Sequence, residues 1–180
     1  MDLVILDRDG VINFDSDDYI KSPDEWQAIP GSLEAIAHLN HSGYRVVVAS
    51  NQSGLARGLF DIATLHAIHQ KMHDELAGVG GYLDAVLFCP HGPDQGCACR
   101  KPAPGLLLDI SRRFCSDLTG VYAVGDALRD IEAARTAGAS PVLVRTGKGQ
   151  HTLTDGHGLQ DVPVYADLSE AVERLILGGC

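Results

Sequence analysis

The chain has 180 residues, 45% hydrophobic and 21% charged. That is long enough for one domain with its own core, and the composition excludes disorder, a coiled coil or a collagen-like chain. Lys and Arg number 14 against 24 Asp and Glu, a formal net charge of −10 with no basic run, which excludes a general nucleic-acid binder because phosphate contacts need clustered cations. No stretch reaches the roughly 18–20 continuous apolar residues of a membrane helix, and Met1-Asp2-Leu3-Val4-Ile5-Leu6-Asp7 has no basic segment ahead of its apolar run. The expectation is a cytoplasmic protein without a signal peptide and without a membrane or nucleic-acid partner.

Five short apolar runs read as buried strands: Leu3–Leu6, Val46–Ala49, Ala85–Phe88, Val121–Val124 and Val142–Val144. Helical spacing of apolar residues predicts helices over Ser32–His41, Asp61–Ala77, Gly105–Phe114, Leu128–Ala137 and Leu168–Leu177, with Ser32 as N-cap of the first and Gly43 just beyond its end. This alternation predicts an α/β fold, a doubly wound parallel sheet with helices on both faces. Gly147–Gly158 reads as a loose surface loop. The polar stretches Asp15–Gln27 and Gly92–Gly96 follow strands, at the carboxyl edge where such sheets bind ligands.

The strand ends carry the chemistry. Strand one runs into Asp7-Arg8-Asp9-Gly10. Carboxylates one residue apart at a buried strand mouth raise each other's pKa unless a cation lies between them, although Asp-x-Asp-Gly is also a common turn composition. Strand four ends in Gly125-Asp126, with Asp130 four residues later. An oxygen-rich rim suits Mg²⁺, and helix-dipole matching accounts for Asp130 better than for Asp126. Strand two ends in Ser50-Asn51-Gln52-Ser53-Gly54, a polar loop whose donors suit phosphate oxygens. After strand three, Lys101 can serve as a point charge and Arg100 as a bidentate clamp for phosphate, or the two form a solvated basic pair.

The chain has five cysteines, and three of them, Cys89, Cys97 and Cys99, cluster with His91. Three thiolates and an imidazole, paired with one residue between the ligands of each half, suit tetrahedral Zn²⁺. Four protein ligands leave no open position, so this zinc is expected to be structural and to set where Arg100 and Lys101 sit. Buried free thiols or a Cys97–Cys99 redox pair are the alternatives. Cys115, in a helix, and Cys180 are read as bystanders. His66, His69 and His73 read as a solvated helix face, and Trp26, beside Pro23 and Pro30, as pinning its loop.

In order and context these pieces, Asp-x-Asp after strand one, Ser after strand two, then Lys, then Gly-Asp-x-x-x-Asp after strand four, resemble the haloacid dehalogenase-like phosphatases from Asp7 to Asp130. The stretches Cys-Pro-His…Cys-Ala-Cys-Arg-Lys-Pro, Asp-Arg-Asp-Gly-Val-Ile-Asn and Ser-Asn-Gln-Ser-Gly-Leu-Ala-Arg-Gly narrow this resemblance. They resemble the D-glycero-D-manno-heptose-1,7-bisphosphate 7-phosphatases, over nearly the whole chain. Histidinol-phosphate phosphatases of the same branch share the short zinc loop.

The resemblance implies a Rossmann-like haloacid dehalogenase fold, one domain over 1–180 with a zinc loop at 89–99. No cap domain is expected, since Ile12–Pro30 and Cys89–Ala103 are too short to hold one. It implies Asp7 as nucleophile, Asp9 as acid and base, and Ser50 and Lys101 as phosphoryl holders. Mg²⁺ would be bound by Asp7, the Asp9 main-chain carbonyl and Asp126, with Asp130 behind. Asp15, Tyr19, Ser50, Asn51, Gln52, Ser53, Arg100 and Lys101 would line the sugar-phosphate site, with Arg57 reaching the second phosphate. Ala127 stands where a lysine is often found, so one substrate contact is missing.

The implied reaction is removal of the 7-phosphate from heptose 1,7-bisphosphate through an aspartyl-phosphate, in nucleotide-heptose assembly for bacterial lipopolysaccharide, by a monomer whose partner is a phosphosugar. A histidinol-phosphate phosphatase and, from another class, a non-catalytic sugar-phosphate binder are the alternatives.

Overall fold

The computed structural model describes residues 2–178. Six parallel strands, β1 (Leu3–Leu6), β2 (Arg45–Asn51), β3 (Ala85–Cys89), β4 (Tyr122–Gly125), β5 (Ser140–Val144) and β6 (Val164–Tyr165), form one sheet in the order β3-β2-β1-β4-β5-β6. The chain winds outward from β1 to β3, crosses back to lay β4 on the other side of β1, and continues to β6. The order reverses between β1 and β4, and a crevice opens there at the carboxyl ends. Leu6 pairs with Val48 on β2 and with Val124 on β4, so Asp7, Ser50 and Asp126 all emerge on the same rim.

Helices α1 (Ser32–His41), α2 (Ile62–Gly78), α3 (Gly105–Phe114), α4 (Leu128–Ala137), α5 (Gly149–Asp155) and α6 (Leu168–Ala171) flank the sheet. Successive side chains of β1 enter opposite layers. Val4 and Leu6 pack with Ile36, Ile68, Met72 and Leu168 on one face; Leu3 and Ile5 pack with Leu106, Ile110 and Ala133 on the other. Burial on both faces is why these strands read as continuous apolar runs rather than alternating ones. Each fully buried Leu, Ile or Val contributes roughly 1.5–3 kcal/mol relative to exposure, so the apolar layers carry the polar rim. Between Asp7 and Gly31 the only regular element is a 3₁₀ turn at Pro23–Glu25, so no cap domain is inserted there. Among the described residues no helix is long and apolar enough to cross a membrane.

Several local expectations are corrected. Gly31, at φ 84, caps α1; Ser32 is already helical and its Oγ donates to Ile12 O at 2.6 Å, tying the β1 loop to α1. Residues 147–158 are not a loose loop: they contain α5, held by Thr152 Oγ1 donating to Asp126 O at 3.0 Å. Gly149 permits this, because a Cβ there would lie 1.7 Å from Val144 O. The carboxyl-terminal helix is shorter as an α-helix than expected, since wider π-type turns take over at Val172–Ile176. The two-residue β6 gave no periodic signal. Cys115 lies just beyond α3 at φ 49 and is exposed; Cys180 lies outside the described residues. Trp26 is fully buried, with Lys71 Nζ 5.9 Å from its ring, which pins the loop to α2.

Candidate active site

Asp7 leaves β1 with its amide bonded to Val124 O at 2.9 Å, which fixes its backbone to β4. Its Oδ1 accepts from the Arg8 amide at 2.7 Å and meets Lys101 Nζ at 3.1 Å. Lys101 Nζ also lies 2.7 Å from Asp130 Oδ1, and all three side chains are buried. Asp130 closes the start of α4 by accepting the Ala127 amide on Oδ2 at 3.0 Å. The third acid, Asp126, is fully buried. Its Oδ2 accepts the Lys148 amide at 2.8 Å, while Oδ1 has no hydrogen-bond partner. Gly10 and Gly147, both at positive φ, let the chain approach so closely that a Cβ on either would lie 2.1 or 2.2 Å from Asp126 Oδ2.

The electrostatics expose a missing charge. Burial, against the pull of Lys101 and with the push of Asp130, raises the Asp7 pKa to about 6. Burial together with Asp7 and Asp130 raises that of Asp126 to about 8. Burial works against the Lys101 ammonium, but Asp130 and Asp7 outweigh it and hold its pKa above the ordinary value. Lys101 and the Arg129 guanidinium, which also pulls on Asp7 and Asp126, bring two positive charges to three carboxylates whose oxygens lie within 4.8 Å of one another, so one negative charge is left over. Such a set, with an unpartnered oxygen on Asp126, fits a hard divalent cation of the Mg²⁺ kind.

Asp9 is held differently. Arg8 Nε and Nη2 form a fork on its two oxygens at 3.0 Å each, Asn13 Nδ2 donates to Oδ1 at 2.9 Å and Gln52 Nε2 to Oδ2 at 3.1 Å. Burial would raise its pKa, but Arg8 and the donated hydrogen bonds from Asn13 and Gln52 win and lower it. Gln52 also donates to Ser50 Oγ at 2.8 Å. Asn51, expected to touch substrate, exchanges two hydrogen bonds with the Lys101 main chain, at 2.9 and 3.0 Å, and thereby joins the end of β2 to the lysine.

These groups surround a cleft of about 160 Å³, lined by Asp7, Asp9, Asp15, Tyr19, Ser50, Asn51, Gln52, Ser53 and Arg100, together with Ser16, Asp17, Ile20, Arg129 and Lys148. Lys101 stands behind Asp7 rather than on the cleft wall, among Ile5, Ala49 and Leu107. Arg57 is outside the lining, with its guanidinium 5.8 Å from the Tyr19 ring centroid.

Sequence reasoning missed Arg129 and Lys148. Arg129 sits between two assigned acids, and its pKa is raised because Asp130, Asp7, Asp126 and Asp15 outweigh burial. Lys148 follows β5, and that strand end was the available signal. His69 was also misplaced: it is 8% exposed, not solvated.

At the end of β3, Cys89, His91, Cys97 and Cys99 converge. Their sulfurs are 3.2, 3.5 and 3.6 Å apart, and His91 Nδ1 lies 3.3 Å from Cys99 Sγ and 3.5 Å from Cys89 Sγ. These separations exceed the ~2.05 Å of a disulfide and approach the edges of roughly 3.4–3.8 Å of a zinc-centred tetrahedron of sulfur and nitrogen. The donor set fits zinc. Gly105 N donates to Ala98 O at 3.0 Å and Arg100 Nη1 to His91 O at 3.3 Å, so the loop is fastened to α3 and to a cleft residue.

Comparison with known proteins agrees with this geometry. The HAD-hydrolase-like family model matches residues 98–171. The chain is 60% identical over 176 residues to the D-glycero-beta-D-manno-heptose-1,7-bisphosphate 7-phosphatase of Bordetella bronchiseptica, covering 98% of each protein. It is 56% identical over 175 residues to that of Pseudomonas aeruginosa, covering 97% of each. Among solved structures, the B. bronchiseptica D,D-heptose 1,7-bisphosphate phosphatase complexed with magnesium and phosphate superposes with a TM-score of 0.97 at 59% identity, covering 99% of this chain and 100% of that one. The Burkholderia thailandensis phosphatase gives 0.79 at 47% identity, covering 98% and 99%. With these relatives spanning the whole cleft and the Cys/His loop, the chain belongs to the D-glycero-beta-D-manno-heptose-1,7-bisphosphate 7-phosphatase family of HAD-like hydrolases.

Proposed function

We propose that this chain is a Mg²⁺-dependent phosphatase that removes the 7-phosphate from D-glycero-beta-D-manno-heptose 1,7-bisphosphate. The observation that carries the reading is the buried Asp7–Lys101–Asp130 chain beside an Asp126 oxygen with no partner. A binder of an anionic sugar has no use for acids that raise each other's pKa; a phosphoryl-transfer site does, once a cation and the lysine neutralise them.

Asp7 Oδ1 is committed to Lys101 and the Arg8 amide, so Oδ2 attacks phosphorus. The bond from phosphorus to the sugar oxygen breaks, and Asp9 delivers its proton to that oxygen. Water then gives a proton back to Asp9 and attacks the aspartyl-phosphate, breaking the bond to Asp7 and releasing phosphate. Arg8, Asn13 and Gln52 favour the Asp9 anion, the form needed for water activation; an arriving phosphate dianion raises its pKa and favours the acid needed first. Ser50, Ser53, Arg100 and Arg129, which line the cleft, would hold phosphoryl and sugar oxygens. Asp7, Asp126 and the Asp9 main-chain carbonyl would hold Mg²⁺, which offsets the charge of acids and substrate.

Zn²⁺ on Cys89, His91, Cys97 and Cys99 would be structural, and residues 1–180 a single catalytic unit acting as a monomer. Purified protein with Mg²⁺ is expected to release one phosphate per heptose 1,7-bisphosphate and to act far more slowly on histidinol phosphate. The reverse ranking rejects the proposed substrate.

A further inference from the structure

Arg8 lies between Asp7 and Asp9 in sequence yet is 1% exposed and does not line the cleft. A guanidinium taken out of water must have its donors met. Nε and Nη2 are met by the Asp9 fork, and Nη2 also lies 3.4 Å from Gln52 Oε1. Nη1, on the side away from the fork, lies 3.3 Å from His69 Nε2. Arg8 carries no proton acceptor, so the His69 nitrogen facing it has to be a bare lone pair. The imidazole sits on the buried face of α2, which also carries Leu65, Ile68 and Met72, and its ring meets Phe88 of β3 edge-on at 6.1 Å and 60°.

Asp9, by contrast, has left β1 and lies on the turn of Arg8–Asn13, where Ile12 N bonds to Arg8 O at 2.8 Å and Gly10 N to Asn13 O at 2.7 Å. Its carboxylate is aimed by side chains, chiefly by the Arg8 fork. A carboxylate on a turn is only as well placed as the rigid elements its partners rest on.

We propose that His69 is a positioning residue for Asp9: through Nε2 it anchors Arg8, and the anchored guanidinium aims the Asp9 carboxylate at the leaving-group oxygen. The inference rests on the reading of Asp9 as acid and base. It leaves His69 no contact with substrate. Burial, Arg8 and His73 hold its pKa down at about 3, against a smaller opposing pull from Asp9, so the ring is neutral throughout the working range.

Leaving-group dependence separates positioning from packing. Loss of aim at a general acid slows an ester with an alkoxide leaving group and spares p-nitrophenyl phosphate, whose leaving group needs little protonation; general acids contribute ~10²–10⁴-fold. With Mg²⁺-loaded enzyme, His69→Leu is expected to lower kcat/KM at least ~10-fold for heptose 1,7-bisphosphate and less than ~3-fold for p-nitrophenyl phosphate. His69→Gln, whose Oε1 can accept from Arg8, is expected to return most of that loss. Equal losses on both esters, no loss, or failure of a folded His69→Gln to outperform His69→Leu would each overturn the inference and leave the phosphatase reading standing. A wild type inactive on both esters overturns both. Should His69→Leu not fold, nitrogen NMR of the wild type still decides: the proton must sit on Nδ1, and a proton on Nε2 or a cationic ring at neutral pH overturns the proposal.

Discussion

Two clusters of metal-ready side chains lie at the same edge of the sheet, and they are built in opposite ways. The acid cluster is assembled by topology: Asp7 comes from β1, Asp126 and Asp130 from β4 and α4, and Lys101 from the segment before α3. It is almost wholly buried, and one of its oxygens has no partner. The thiol cluster is local, contained within residues 89–99, and three of its four members are partly exposed. It presents four donors around one point and leaves no position for a substrate. An incomplete buried site invites a reactant; a complete, half-exposed one fastens a loop. The two meet at Cys99-Arg100-Lys101, where the last sulfur is followed directly by a cleft arginine and the lysine paired with the candidate nucleophile.

The contrast breaks most sharply at Asp7. Asp7→Asn is expected to reduce turnover by about 10⁴-fold or more. The melting temperature should stay level or rise, because one of three mutually repelling buried acids is gone while Lys101 keeps Asp130. Phosphate release and a thermal melt on the same sample decide. Activity near wild type would reject the covalent route, and a large drop in melting temperature would mean that the acids bind the fold together rather than strain it.

The thiol cluster should fail the other way round. Cys99→Ser, or stripping zinc with a chelator, is expected to lower the melting temperature by at least ~10 °C, since structural zinc contributes to folding directly. A loss of turnover of around tenfold should accompany it as Arg100 and Lys101 lose their fixed backbone. Metal analysis should find about one zinc per chain. A zinc-free chain with unchanged melting and unchanged turnover would dissolve the distinction between the two clusters.

Why one cluster and much of the other could be read from sequence is itself physical. In a parallel sheet the residues just after each buried run are delivered to the carboxyl edge, so Asp7 and Ser50 announce themselves directly after Leu3–Leu6 and Val46–Ala49, and Asp126 one residue beyond Val121–Val124. The thiol loop is visible because its ligands are neighbours in the chain. What stayed hidden is what depends on distant partners. Helix α5 exists where Thr152 bonds to Asp126 O and Gly149 tucks under Val144 O, contacts that no local pattern encodes. Arg129 reads as a helix-surface charge until four acids are seen around it. His69 shares a helix face pattern with His66 and His73, and what sets it apart is contact with Arg8 and Phe88, residues distant in the sequence.

That imidazole offers the finest test of the contrast, through acid stability. Free imidazole has a pKa of about 6.5, whereas burial, Arg8 and His73 hold His69 at about 3 in the folded chain, with His66 adding to and Asp9 opposing the effect. The folded pKa is depressed, so the stability it represents is fully present above pH ~6.5 and is lost as pH falls toward 3, because only the unfolded ring takes up the proton. The slope contributed by this one site is about 1.4 kcal/mol per pH unit below pH ~6, and it should vanish in His69→Gln. Asp9, held as an anion by the same Arg8 fork, loses stability over a lower range in both proteins, so the difference between denaturation curves of the two at pH 7, 6 and 5 isolates the imidazole. Zinc retention has to be verified at each pH, since protons compete with metal for thiolates. Parallel curves with zinc still bound would mean that His69 takes a proton in place, and an imidazolium there could not accept from Arg8.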